Sequence, residues 1–192
     1  MNIFPVGHYM GERHPTGNHV VRVGLEHQTL EPDEFGVWVL SHGTAEIGRG
    51  AWTVDDVLAL AASAGLSRPE DAIDRLTAVG ALVILSSDPM RFAQRYRVQP
   101  LLVGLGNSEA EPDRYGLGLP GLPPMAVVDE PSYELWQWGH LAPSLWHTCE
   151  VRAKVATGLG ESASPAALLK NLLGDLRVLL VNSAAYLDVV VP

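Results

Sequence analysis

Ser67 to Leu85 reads SRPEDAIDRLTAVGALVIL, and the reading of this stretch decides the fold. Ser67 followed three residues later by Glu70 has the spacing of a capping box, in which two orphan backbone donors at a helix start are satisfied reciprocally. Ala72, Ile73, Leu76 and Val79 fall at i, i+1, i+4 and i+7, one apolar stripe of an α-helix. Gly80 is a stop, because glycine enters the left-handed conformation at no steric cost. Ala81 to Leu85 is an unbroken apolar run of the kind a buried strand shows. Residues 86 to 89, Ser-Ser-Asp-Pro, turn the chain, and Arg91 to Val98 is expected to return as a second strand. A helix that runs into a hairpin is the third helix and wing of a winged helix-turn-helix.

Upstream, the two other helices are expected. Pro32 suits a first helical position, and Asp33 and Glu34 suit a first turn, where carboxylates complement the helix dipole. Phe35, Trp38, Val39 and His42 recur at i, i+3, i+4 and i+7 before Gly43. Thr53 caps the next helix with Asp56 three residues on, and Trp52 can staple against Val57. Its inward face is Val57, Leu58, Ala61 and Ala64, with Gly65 as the stop. Before these helices, residues 20 to 25 (VVRVGL) and 26 to 30 read as a short strand pair, with Gly24 a candidate bulge. Residues 1 to 18 read as an irregular arm that carries His8 and His14 at the surface.

Downstream, residues 104 to 124 (GLGNSEAEPDRYGLGLPGLPP) break the composition and read as a Gly/Pro-rich linker. They are no dinucleotide motif, since Gly104-Leu105-Gly106 lacks a third glycine and a following helix. The remainder echoes the first half. Met125 to Val128 reads as a strand, Glu130-Pro131 copies Glu31-Pro32, and Glu134-Leu135-x-x-Trp138 copies Glu34-Phe35-x-x-Trp38. Helices over 145–155 and 165–181 and a closing strand over 186–191 complete the copy. The expectation is an α+β protein built as a tandem, duplicated pair of winged-helix units: 1–103, a linker at 104–124, and a divergent second unit at 125–192.

The 192 residues are 47% apolar and 18% charged, a globular composition. No apolar run approaches the ~20 residues of a membrane span, and the start lacks the basic and apolar regions of a signal peptide. With one cysteine, Cys149, these features favour the cytoplasm. Net charge is −9, and only two lysines are present. A nucleic-acid binder needs a cationic face, so the balance counts against DNA as a partner.

The strand pair VVRVGLEHQTL, the helix PDEFGVWVLSHG, the helix TVDDVLALA and the helix EDAIDRLTAVGALVIL together resemble the PqqD-like domains, or RiPP recognition elements, over residues 19–85. The resemblance implies a winged-helix fold that binds the leader of a precursor peptide as an added strand beside the third helix. It also implies delivery of that peptide to a modifying enzyme in peptide natural-product biosynthesis.

Strand addition favours an open sheet edge, and Val21, Val23 and Leu25 are the expected apolar contacts there. Asp71, Asp74 and Arg75 on the third helix would sort peptides by charge; as a plain solvated face they would do nothing. Arg91, Arg95 and Arg97 alternate along the expected wing strand as a positive stripe for an acidic leader or another subunit. His140, His147, Cys149 and Glu150 fit no structural zinc spacing, and His147 and Cys149 diverge around a helix, which also argues against a Cys-His nucleophile. No cofactor, metal or catalytic constellation is expected. The expected partners are a precursor peptide or a modifying enzyme, with no membrane and a homodimer as one option. The alternatives are a winged-helix transcriptional regulator or DNA-associated scaffold, and an enzyme subunit whose site a partner completes.

Overall fold

The computed structural model describes residues 1–85 and 87–191; Ser86, in the expected turn, lies outside them. The fold is mixed α+β, with seven helices and four small antiparallel sheets among the described residues.

The first half opens with β1 (Ile3–Pro5) and β2 (His8–Arg13), where the sequence suggests an irregular arm. β2, β3 (Asn18–Val23) and β4 (Glu26–Leu30) form an antiparallel meander in that order. Gly24 is not a bulge. It takes φ +57 at the first position of the two-residue turn between the paired Val23 and Glu26, as a type II′ hairpin demands. Three helices follow: α1 (Pro32–Leu40), α2 (Val54–Ser63) and α3 (Pro69–Ala78). β5 (Leu82–Ile84) then pairs antiparallel with β1, Phe4 opposite Val83.

Two local expectations change here. The capping box at Ser67 does not form, because the N-cap of α3 is Arg68, in the left-handed region at φ 46. Ser67 lies one residue too early, and its N–H donates to Asp33 Oδ2 at 2.9 Å instead. The expected wing is also absent. Pro89–Arg95 is a helix, α4, with Asp88 Oδ1 accepting from Arg91 N–H at 3.0 Å. Phe92, Ala93 and Tyr96 are buried at i, i+1 and i+4, a helical spacing that outweighs the alternating arginines.

The second half repeats the order of the first. β6 (Tyr96–Pro100) is followed by a meander of β7 (Val103–Gly106), β8 (Arg114–Gly118) and β9 (Ala126–Asp129). Helices α5 (Glu130–Trp138), α6 (Leu145–Gly158) and α7 (Pro165–Val181) come next, and β10 (Ala185–Val189) pairs antiparallel with β6 as β5 does with β1. Residues 104–124 are therefore no linker. Three of their five glycines, Gly104, Gly116 and Gly118, sit where chains pack closely: a Cβ on Gly116 would stand 3.1 Å from Pro124 Cγ, and one on Gly118 would stand 3.1 Å from Met125 N.

The tryptophan echo is shifted in register. Glu31 caps α1 and Asp129 caps α5, which sets Trp38 against Trp136 and Val37 against Leu135. Trp38 is buried, whereas Trp138 is 58% exposed.

Both halves share one core, from Ile3, Phe4 and Val37 through Leu76 and Leu82 to Leu135, Leu172, Leu176 and Leu187. Buried polar groups join them. Arg177 of α7 donates to the carbonyls of Ser41 and His42, both at 3.1 Å, and to that of Ile3, and its guanidinium lies 4.2 Å from the Phe4 ring centre. Asp188 of β10 accepts from Gly24 N–H at 2.8 Å and from Arg22 at 3.3 Å. No helix among the described residues is long and apolar enough to cross a membrane.

Candidate peptide-binding edge

The meander of the first half has two edge strands, β2 and β4, and the edge beside α3 is the outer side of β4. β3, which carries Val21 and Val23, is central and paired on both sides. The edge role expected for residues 20–25 therefore passes to β4. Val21 and Val23 are buried in the core, and Leu25 stands exposed in the hairpin turn, so these three do not form a contact row.

The turn geometry fixes which β4 groups face outward. In a two-residue hairpin the closing pair exchanges hydrogen bonds, and bonded and non-bonded pairs then alternate. With Val23 opposite Glu26, the bonded pairs are Val23/Glu26, Val21/Gln28 and His19/Leu30. The N–H and C=O of His27 and Thr29 point away from β3, and both residues are exposed.

α3 approaches this edge through one side chain. Glu34 is buried at the third position of α1, where it accepts from Glu31 N–H at 2.8 Å and closes the capping box. Its other oxygen accepts from Arg75 of α3, and Arg75 Nη2 reaches on to the carbonyl of Thr29 at 3.4 Å. An ion pair that is half screened by burial thus holds Arg75 over the open edge. Asp71 and Asp74 share the exposed side of α3 with Arg75 at i, i+3 and i+4. Asp71 meets Arg68, at 3.6 Å with both side chains largely exposed, a pair worth ~0–1 kcal/mol.

Arg91, Arg95 and Arg97 are not a stripe on this sheet. Arg91 and Arg95 lie on the exposed side of α4, and Arg97 is on β6, opposite Asp188 in a different sheet. Arg97 Nε is buried without a hydrogen-bond partner among the described residues. Cys149 is fully buried, and burial pushes its thiol up to about 11, while His147 faces outward and pairs with Glu150 at 3.3 Å. Among the described residues no three His, Cys, Asp or Glu side chains gather as a metal cluster.

The second half has the matching edge, β9 beside α7, and there residues of the first half stand close by. A recess of about 330 Å³ is lined by Val127, Asp129, Val178 and Asn182 together with Ala45, Gly48 and Arg49 of the first half. Arg49 Nη2 binds Asp129 at 2.6 Å, and its Nε binds Asp175 at 2.8 Å. The sequence did not mark His27 and Thr29 as site residues. The signal available was the short polar strand Glu26–Thr29, last of its meander, directly before a proline-led helix. No protein-family model, curated protein or solved structure matches this chain.

Proposed function

We propose that the protein is a non-catalytic peptide-binding accessory. An extended segment, most specifically the leader of a precursor peptide in natural-product biosynthesis, adds as a strand to β4 beside α3. The observation that carries this reading is the pairing of an open edge with Arg75, which Glu34 holds above it. Main-chain pairing to His27 and Thr29 supplies affinity, and Asp71, Asp74 and Arg75 supply charge selection. The repeated order of strand, meander, three helices and returning strand supports a duplicated, winged-helix-like unit. In the second copy the corresponding place carries Arg49, bound to Asp129 and Asp175, where the first carries Arg75.

The test uses a fluorescein-labelled short peptide encoded beside the gene. Thr29→Pro removes an outward donor without touching the β3 ladder and is expected to abolish binding. Thr29→Ser is expected to bind as the parent does. Circular dichroism confirms that the proline variant keeps its fold. Unchanged affinity of the folded proline variant in fluorescence polarisation refutes strand addition.

A further inference from the structure

α6 is apolar on two faces. Leu145, Cys149 and Ala153, at i, i+4 and i+8, are buried in the core. Val151, Val155 and Leu159 repeat the same spacing on the other side and are 44, 58 and 75% exposed. Across from them α5 and the turn after it present Trp138 and Leu141, 58 and 67% exposed. These five side chains line one groove of about 660 Å³. A contiguous apolar surface of this kind, unlike singly scattered exposed residues, marks an interaction site.

Shape and charge narrow the occupant. The floor runs along α6 through Thr148, Val151, Arg152, Val155 and Leu159, a straight stripe of about 16 Å, the length of three helical turns. The rim is acidic: Glu134 stands on one wall, and Glu161 lies beyond the end of α6. Arg152, the one arginine in the lining, is shared between the buried Asp175 at 3.5 Å, the Pro131 carbonyl at 3.1 Å and Glu134 at 3.8 Å, one positive charge against two carboxylates, so with Glu161 the groove stays net acidic. An anionic lipid or fatty acid would meet the acidic rim head-on. A second copy would bring two such rims together on chains of net charge −9.

We infer that this groove docks an amphipathic helix of a partner protein, about three turns long, with leucine-type residues on one face and lysine or arginine beside them. The site is separate from the β4 edge, so the chain holds two partners at once: an extended peptide on its first half and a basic helix on its second.

Fluorescence anisotropy on the intact chain tests this with two labelled helix-forming peptides. Both carry leucine at i, i+3, i+4 and i+7; one has lysine elsewhere, the other glutamate. The lysine peptide is expected to bind with a Kd on the order of micromolar, and the glutamate peptide roughly tenfold or more weakly. Leu159→Asp and Val155→Asp are each expected to weaken the lysine peptide by about tenfold, although they add negative charge. Leu119→Asp adds the same charge at an exposed position outside the groove and is expected to leave binding unchanged. Binding by Leu159→Asp at parental affinity reduces the attraction to net charge and overturns the proposal. Equal binding of the glutamate peptide overturns it too. A dimer in sedimentation equilibrium that Leu159→Asp dissolves assigns the groove to a second copy instead.

Discussion

Gly174 makes room for Arg49: a Cβ at Gly174 would lie 3.1 Å from the Cβ of Arg49 and 3.2 and 3.3 Å from its next two carbons. Without that atom, the arginine lies across α7 and reaches Asp175, which is 2% exposed. Alanine inside a helix normally gains ~0.5–1 kcal/mol over glycine. Gly174→Ala is expected to lose stability all the same, by about 1–2 kcal/mol, because a displaced Arg49 leaves the buried Asp175 with Arg152 alone. Urea unfolding measures it. A stabilised variant would show that Arg49 does not need the space.

Arg177 is 1% exposed, and burial lowers its pKa to about 10. Its partners are three main-chain carbonyls and an aromatic face. Arg177→Leu removes the donors and strands the acceptors, at about 1–3 kcal/mol for each buried group left unpaired. Arg177→Lys keeps the charge and loses the fork that spans Ile3, Ser41 and His42. Thermal melts are expected to rank the parent above Lys and Lys above Leu.

Burial pushes His42 from 6.5 down to about 4; its hydrogen bonds to the carbonyls of Val39 and Trp38 oppose the shift, and Arg177 adds to it. The unfolded chain therefore binds the extra proton between pH 6.5 and 4, and the folded chain does not. The contribution of His42 is full above pH 6.5 and is lost as pH falls toward 4. The loss is on the order of 2 kcal/mol, discounted for the solvent the half-buried ring still meets. Denaturant midpoints at pH 7 and pH 5 show it, and His42→Gln is expected to flatten the difference.

Glu70, Asp71 and Asp74 are all exposed near the start of α3, where a DNA-reading helix would present itself to phosphates. At physiological salt the protein is expected to bind duplex DNA no better than a non-specific ~10⁻⁴ to 10⁻⁶ M. Sequence-selective nanomolar shifts in a gel titration would put the regulator reading ahead of peptide binding.

The helices were legible because their signals are local. Pro32, the Thr53–Asp56 box and the stripe of Leu169, Leu172, Leu176 and Leu180 each lie within a few turns, and α1, α2 and α7 form where these marks stand. Strand partners were not legible, since β5 pairs with residues 3–5 across some eighty residues and no local pattern records it. At Arg91–Val98 a period of two in the arginines competed with a helical period in Phe92, Ala93 and Tyr96, and the buried set decided. The glycines of 104–124 suggested slack chain, whereas Gly104, Gly116 and Gly118 mark close packing against Tyr133, Pro124 and Met125. The β4 edge follows from pairing alone, so it was out of reach as well. The groove on α6 was open to a reader who sought two apolar stripes on one helix.

Asp188 and Leu187 bond to Gly24 and Gly7, and Arg177 to residues 3, 41 and 42. At a ribosomal pace of about 5–20 residues per second, the roughly one hundred residues between β5 and β10 take about 5–20 seconds to make. Throughout that interval the N-terminal sheet has been synthesised, but the Gly7 and Gly24 amides and the three carbonyls that Arg177 will occupy have no protein partner. β10 and α7 supply hydrogen bonds to a half translated well before them, and a nascent chain stalled before residue 177 holds a first half that still lacks them.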